Sequence, residues 1–130
     1  NRNPYGKDNS GALEQMGVST AIQKTRMTNT STALGRNHGV TMAAQWYNAY
    51  NKRPKFITIT WWNEWGAERL AATDPACTTI CFTDNYNQEY SRDIEPMKNG
   101  HGSEYYNWTK QYISDYKNHT GYVKYAESGY

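Results

Sequence analysis

Polar and apolar residues alternate from Glu14 to Gln23, "EQMGVSTAIQ". Met16, Val18, Thr20 and Ile22 fall on one face and small or amide residues on the other, which predicts a β-strand. Residues 25–39 carry no helical period and read as a long polar loop. The period changes near Thr41: Met42, Trp46, Ala49 and Tyr50 recur at the spacing of one helix face, and Pro54 stops that helix. Strict alternation returns in "FITITWW", Phe56 to Trp62. Ile57, Ile59 and Trp61 point one way; Thr58, Thr60 and Trp62 point the other, with Glu64 next if the pleat continues. Residues 66–102 read as a long irregular stretch, the kind of loop that usually carries function. A last helix runs from about Ser103, a fitting N-cap, to Lys117, with an apolar stripe of Tyr105, Trp108, Tyr112, Ile113 and Tyr116. Residues 1–13 read as a loop. Residues 118–130 read as a linker or tail leaving a domain of residues 1–117.

The order strand, loop, helix, strand, long loop, helix makes an α/β chain of two β/α units with parallel strands. In such folds sites gather at the C-terminal ends of strands, and Glu64 falls at one. At 130 residues the chain suits one domain. Mean hydropathy is −1.00, yet aromatics reach 15%, too many for a disordered tail. The net charge of +2 has its signs interspersed, which gives neither a nucleic-acid stripe nor a membrane-binding basic block. No apolar run approaches the ~20 residues of a membrane span. The chain does not begin with Met and reads as a mature or cut piece of a longer protein.

Cys77 and Cys81 form either a short-loop disulfide or two ordinary thiols; further ligands at zinc spacing are missing, so no metal or cofactor is expected. Sequons at Asn29, Asn107 and Asn118 fit an extracellular or secreted protein.

The chemistry concentrates in "TWWNEWGAERL". Indole faces stack on the apolar C–H faces of sugars, and a carboxylate among them handles protons or charge at the anomeric centre. Glu64 is therefore a candidate catalytic acid, with Trp62, Asn63 and Trp65 as substrate-binding neighbours. The competing reading pairs Glu64 with Arg69 or Arg36 and makes the tryptophans packing. "GRNHG" offers Arg36 and His38 to a ligand, or is a glycine-punctuated turn with a solvated arginine. "EYSRDIEPMKNGHG" carries Glu89, Asp93 and Glu95; its alternative is a helical turn with Ser91 as N-cap, an exposed Arg92 and Pro96 as its end. It does not match a calcium loop.

"TWWNEWGAERL", then "FTDNYNQEYSRDIEPMKNGHG" and a Tyr-rich helix, resembles the C-terminal portion of glycoside hydrolase family 99-like domains, including WbsX-like glycan-processing proteins. The resemblance runs from "EQMGVSTAIQ" to the last helix and is most specific at Asn63-Glu64-Trp65 and Ile94-Glu95-Pro96. It implies the last two or so units of a (β/α)8 TIM-type barrel, incomplete at this length and needing the rest of its own barrel as a partner. It also implies activity on a glycan or polysaccharide, with Glu64 as one catalytic carboxylate. The family's second glutamate, three positions on, is replaced by Ala67, with Glu68 one step further. Glu95 is then the first choice for the second carboxylate, ahead of Glu89, Asp93 and Glu68, and Asp93 joins the substrate-binding set. The alternative function is a non-catalytic carbohydrate-binding or structural module of an extracellular assembly.

Overall fold

The computed structural model describes residues 3–22, 34–66, 68–70, 80–82 and 87–130. Asn29, Ala67 and Cys77 lie outside these residues, and so does the question of a Cys77–Cys81 bond.

The strand read at Glu14–Gln23 forms as β2, Leu13–Ser19, and the one read at Phe56–Trp62 as β3, Phe56–Thr60. They pair in parallel, with Met16 opposite Ile57 and Val18 opposite Ile59. Between them runs α1, Val40–Lys52. The helix ends because Arg53 turns to φ 46° and caps the carbonyl of Ala49, just before Pro54. The two strands and α1 make one parallel crossover unit.

A third strand was not visible in the sequence. β1, Tyr5–Lys7, joins the far edge of β2 in antiparallel fashion. Its turn is built by Asp8, whose Oδ1 accepts from the backbone N–H groups of Ser10 at 2.9 Å and Ala12 at 3.0 Å. Gly11 supplies the φ of +84° that the reversal requires. A two-residue pair, β4 (Arg69–Leu70) and β5 (Cys81–Phe82), lies outside this sheet.

These findings correct the expected fold. A (β/α)8 barrel is all-parallel, with a helix after every strand and about 250 residues. The described residues form a three-stranded mixed sheet of order β1-β2-β3 with two helices, a small α/β arrangement and not a barrel segment. One parallel crossover has the same residue pattern in either fold. The antiparallel strand that distinguishes them is three residues of a segment rich in turn formers.

The core lies on one face of the sheet. Met16 and Val18, flanked by Ile57 and Ile59, pack against Met42, Ala43, Trp46, Ala49 and Tyr50 of α1. The second helix, α2 (Glu104–Lys117), covers α1 from outside through aromatic rings. Trp46 stacks on Tyr112 with centroids 5.1 Å apart, and Tyr116 meets Tyr50 edge-on at 5.5 Å. Such pairs add about 0.5–1.5 kcal/mol each beyond the area they bury. Ser103 stands at the N-cap of α2, but its side chain makes no capping bond. The other face of the sheet carries the Gln15–Thr58 hydrogen bond and an exposed Phe56.

Residues 118–130 lie back across both helices. Tyr122 donates to the carbonyl of Ala43 at 2.7 Å, and Tyr125 donates to Asp115 at 2.7 Å. Composition had suggested a departing tail, because polar residues surround the two tyrosines that do the anchoring.

Candidate functional site

β3 ends at Thr60, and the chain continues as Trp61-Trp62-Asn63-Glu64-Trp65. Residues 93–95 dock onto this extension by main-chain bonds. Ile94 N donates to the carbonyls of Trp61 and Trp62, both at 3.1 Å, and Glu95 N donates to that of Trp62 at 3.0 Å. The docking is held by side chains on either side. Trp61 Nε1 donates to Asp93 Oδ1 at 3.2 Å, and the Arg92 guanidinium lies 4.1 Å from the Trp61 ring centroid.

This brings together the two most specific motifs of the sequence. Asn63 Nδ2 and Trp65 Nε1 donate to Glu95 Oε2, at 3.0 and 2.8 Å. Arg92 Nη2 lies 3.8 Å from Glu64 Oε2. Trp62 and Trp65 are 47% and 63% exposed, so both present indole surface to solvent beside the two glutamates. Trp62 is steadied edge-on by Tyr106 of α2, at 5.7 Å. Two carboxylates, an amide and two accessible indoles suit a flat, hydroxyl-bearing ligand: the rings cover its C–H faces and the carboxylates accept from its hydroxyls.

Three expected site residues lie elsewhere in the structure. Asp93 is buried, and its carboxylate serves Trp61 in holding the docked segment. Arg36 is buried as well, and is neither a solvated turn residue nor a partner to Glu64. Its guanidinium donates to the carbonyls of Gln88 at 2.9 Å and Asp93 at 2.6 Å, and rests on the Tyr105 ring at 4.3 Å. It clamps the segment that carries Asp93 and Glu95. His38, at φ 55°, pairs with Glu127 at 2.8 Å and stacks on Tyr130 at 3.8 Å. Arg36 and His38 line a separate cleft, which includes none of Trp62, Asn63, Glu64, Trp65 or Glu95. Among the other candidate acids, Glu89 lines that same cleft and accepts from Asn37 N at 2.8 Å.

Arg92 was missed as a functional neighbour. It read as an exposed helical position, but it is half-buried against Trp61 and beside Glu64. No spacing marks such a contact, because it depends on how a distant loop docks.

Among the described residues no group of three or more His, Cys, Asp and Glu is arranged to hold a metal ion. No helix there is long and apolar enough to cross a membrane. No protein-family model, curated protein or solved structure matches the chain.

Proposed function

We propose that the chain carries a glycoside hydrolase-like site for a glycan or polysaccharide, with Glu64 and Glu95 as its carboxylate pair and Trp62, Asn63 and Trp65 as the sugar-contacting surface. The observation that carries this reading is the double hydrogen bond from Asn63 and Trp65 to Glu95, which sets a second carboxylate beside the Asn-Glu-Trp motif. Glycoside hydrolysis needs two such groups: one moves the proton of the leaving oxygen, and the other attacks the sugar or activates water. Both bonds fall on Oε2 of Glu95, so Oε1 is the oxygen it offers to a ligand. Arg92 balances the charge of Glu64 from the side. The resemblance to family 99-like domains agrees with this assignment at the motif level. An extracellular setting belongs to the same proposal.

The test is a pair of isosteric variants on a panel of soluble polysaccharides. Glu64→Gln and Glu95→Gln should each lower reducing-sugar release by roughly 10²–10⁴-fold, the scale of one general acid or base. Glycan affinity by calorimetry should change little, since Gln keeps the shape. Undiminished release in both variants would sink the hydrolase assignment.

A second reading, a carbohydrate-binding module without hydrolysis, draws on the commitment of Glu95 to two N–H groups and of Glu64 to Arg92. In that case no release is seen from the wild type, and Trp65→Ala weakens glycan binding by roughly tenfold.

A further inference from the structure

The indole surface beside Glu64 and Glu95 continues onto α2, and its charge changes sign along the way. At one end Trp65 Nε1 donates to Glu95 Oε2 at 2.8 Å, so an exposed ring and a carboxylate stand together. At the other end the Trp62 ring, also exposed, meets Tyr106 of α2 edge-on with centroids 5.7 Å apart. One turn further along α2, the ammonium of Lys110 lies 4.4 Å from the Tyr106 ring centroid. The two gaps are consecutive, so Lys110 Nζ stands no further from the Trp62 ring than about the length of a disaccharide. Lys110 is exposed. A helix-surface lysine gains from an acid three or four positions away. Here those positions hold Tyr106, Asn107, Ile113 and Ser114. No ion pair among the described residues includes Lys110. The acids of α2 are engaged elsewhere: Asp115 accepts from Gln111 and Tyr125, and Glu104 lines the cleft with Arg36 and His38. The Tyr106 ring face offsets only part of a full charge, and it fixes where the ammonium sits.

An ammonium has three N–H donors and no acceptor, so the group it takes is an oxygen acceptor, most strongly an ionised one. Glu64 and Glu95 impose the opposite preference, because carboxylates accept from hydroxyls and repel an anion. An acidic group is therefore admitted at the Lys110 end of the surface and refused at the Glu95 end. We propose that Lys110 is a specificity-determining residue of the site, taking the carboxylate or sulfate of an acidic sugar whose neutral neighbour faces Glu64 and Glu95. The ligand class is then an acidic polysaccharide with neutral sugars between its charged ones. This rests on the reading of Trp62, Asn63 and Trp65 as a sugar-contacting surface, and it holds whether or not the sugar is hydrolysed.

The test is affinity electrophoresis of the full chain at low salt in two polysaccharide series, each built on one backbone. Chondroitin sulfate, desulfated chondroitin and carboxyl-reduced desulfated chondroitin separate sulfate from carboxylate. Carrageenan and its desulfated form add a backbone charged by sulfate alone. In at least one series the anionic member should bind about threefold more tightly than the neutral one, the scale of one exposed ion pair, and lose that advantage at high salt. Lys110→Gln should remove the advantage and leave the neutral polysaccharide bound as before, while Lys110→Arg keeps it. Lys117→Gln lowers the net charge equally at another exposed lysine of α2 and should leave the advantage intact. Whichever anionic member holds the advantage that depends on Lys110 names the group. The proposal fails if neutral and anionic members bind alike. It fails equally if Lys110→Gln lowers the advantage no more than Lys117→Gln does, which would be attraction by net charge only. In both cases, retention that Trp65→Ala weakens still supports the sugar surface itself. Retention by no polysaccharide would overturn both.

Discussion

Lowering the pH should destabilise the fold through His101. Burial, and secondarily the charge of Arg36, hold its imidazole down at about 4, against an ordinary value of 6.5. The unfolded chain therefore binds a proton between these values and the folded chain does not. Stability rises with pH wherever the unfolded state holds more protons. The contribution is complete above pH 6.5 and is lost as pH falls from there towards about 4. At 1.36 kcal/mol per pH unit the gap from 6.5 to about 4 sets a ceiling of about 3.4 kcal/mol. The ring is only partly buried, so water screens the penalty, and about 1–2 kcal/mol is expected. Asp8 does not interfere: Ser10 and Lys55 hold its carboxyl at about 2, so its contribution is lost below 3.8. Urea denaturation of the wild type and of His101→Gln, at pH 7 and pH 4.5, measures the effect. The wild type should lose about 1–2 kcal/mol more than the variant over that interval. Equal losses would refute the buried, neutral histidine.

Two further predictions concern the aromatic core and the turn that starts α1. Trp46→Ala removes the ring that stacks on Tyr112 and meets Tyr116 edge-on, and should cost about 3–5 kcal/mol by thermal or urea unfolding. A cost below about 1 kcal/mol would mean that the two helices do not pack through it. Gly39→Ala forces a side chain onto a backbone at φ +89° and puts its Cβ 2.7 Å from the Trp108 ring and 3.2 Å from Ala126 Cα. It should destabilise by about 2–4 kcal/mol and release residues 126–130, read as faster amide exchange there. An unchanged melting temperature would contradict the position of that segment.

Local periodicity was enough to place β2, α1, β3 and α2, because burying one face of a strand or helix imposes a repeat of two or about three and a half residues. Ile57 and Ile59 pack against the helix layer as their alternation required. The pairing of Asn63-Glu64-Trp65 with Ile94-Glu95-Pro96 was legible only as a resemblance, and nothing in the 28 residues between them encodes it as a spacing. Tertiary structure decided the rest. The Asp8 turn added an antiparallel strand, and with it a mixed sheet in place of a barrel segment. Main-chain bonds from Ile94 and Glu95 to Trp61 and Trp62 gave Glu95 to the indole surface and turned Asp93 inward. Arg36 was drawn into the interior by carbonyl oxygens more than fifty residues away in sequence, a contact that leaves no mark on its neighbours. Tyr122 and Tyr125 returned the C-terminal segment to the helices. Sequence reports the faces that individual elements must bury; which distant segments meet across them depends on hydrogen bonds that form only once the elements have packed.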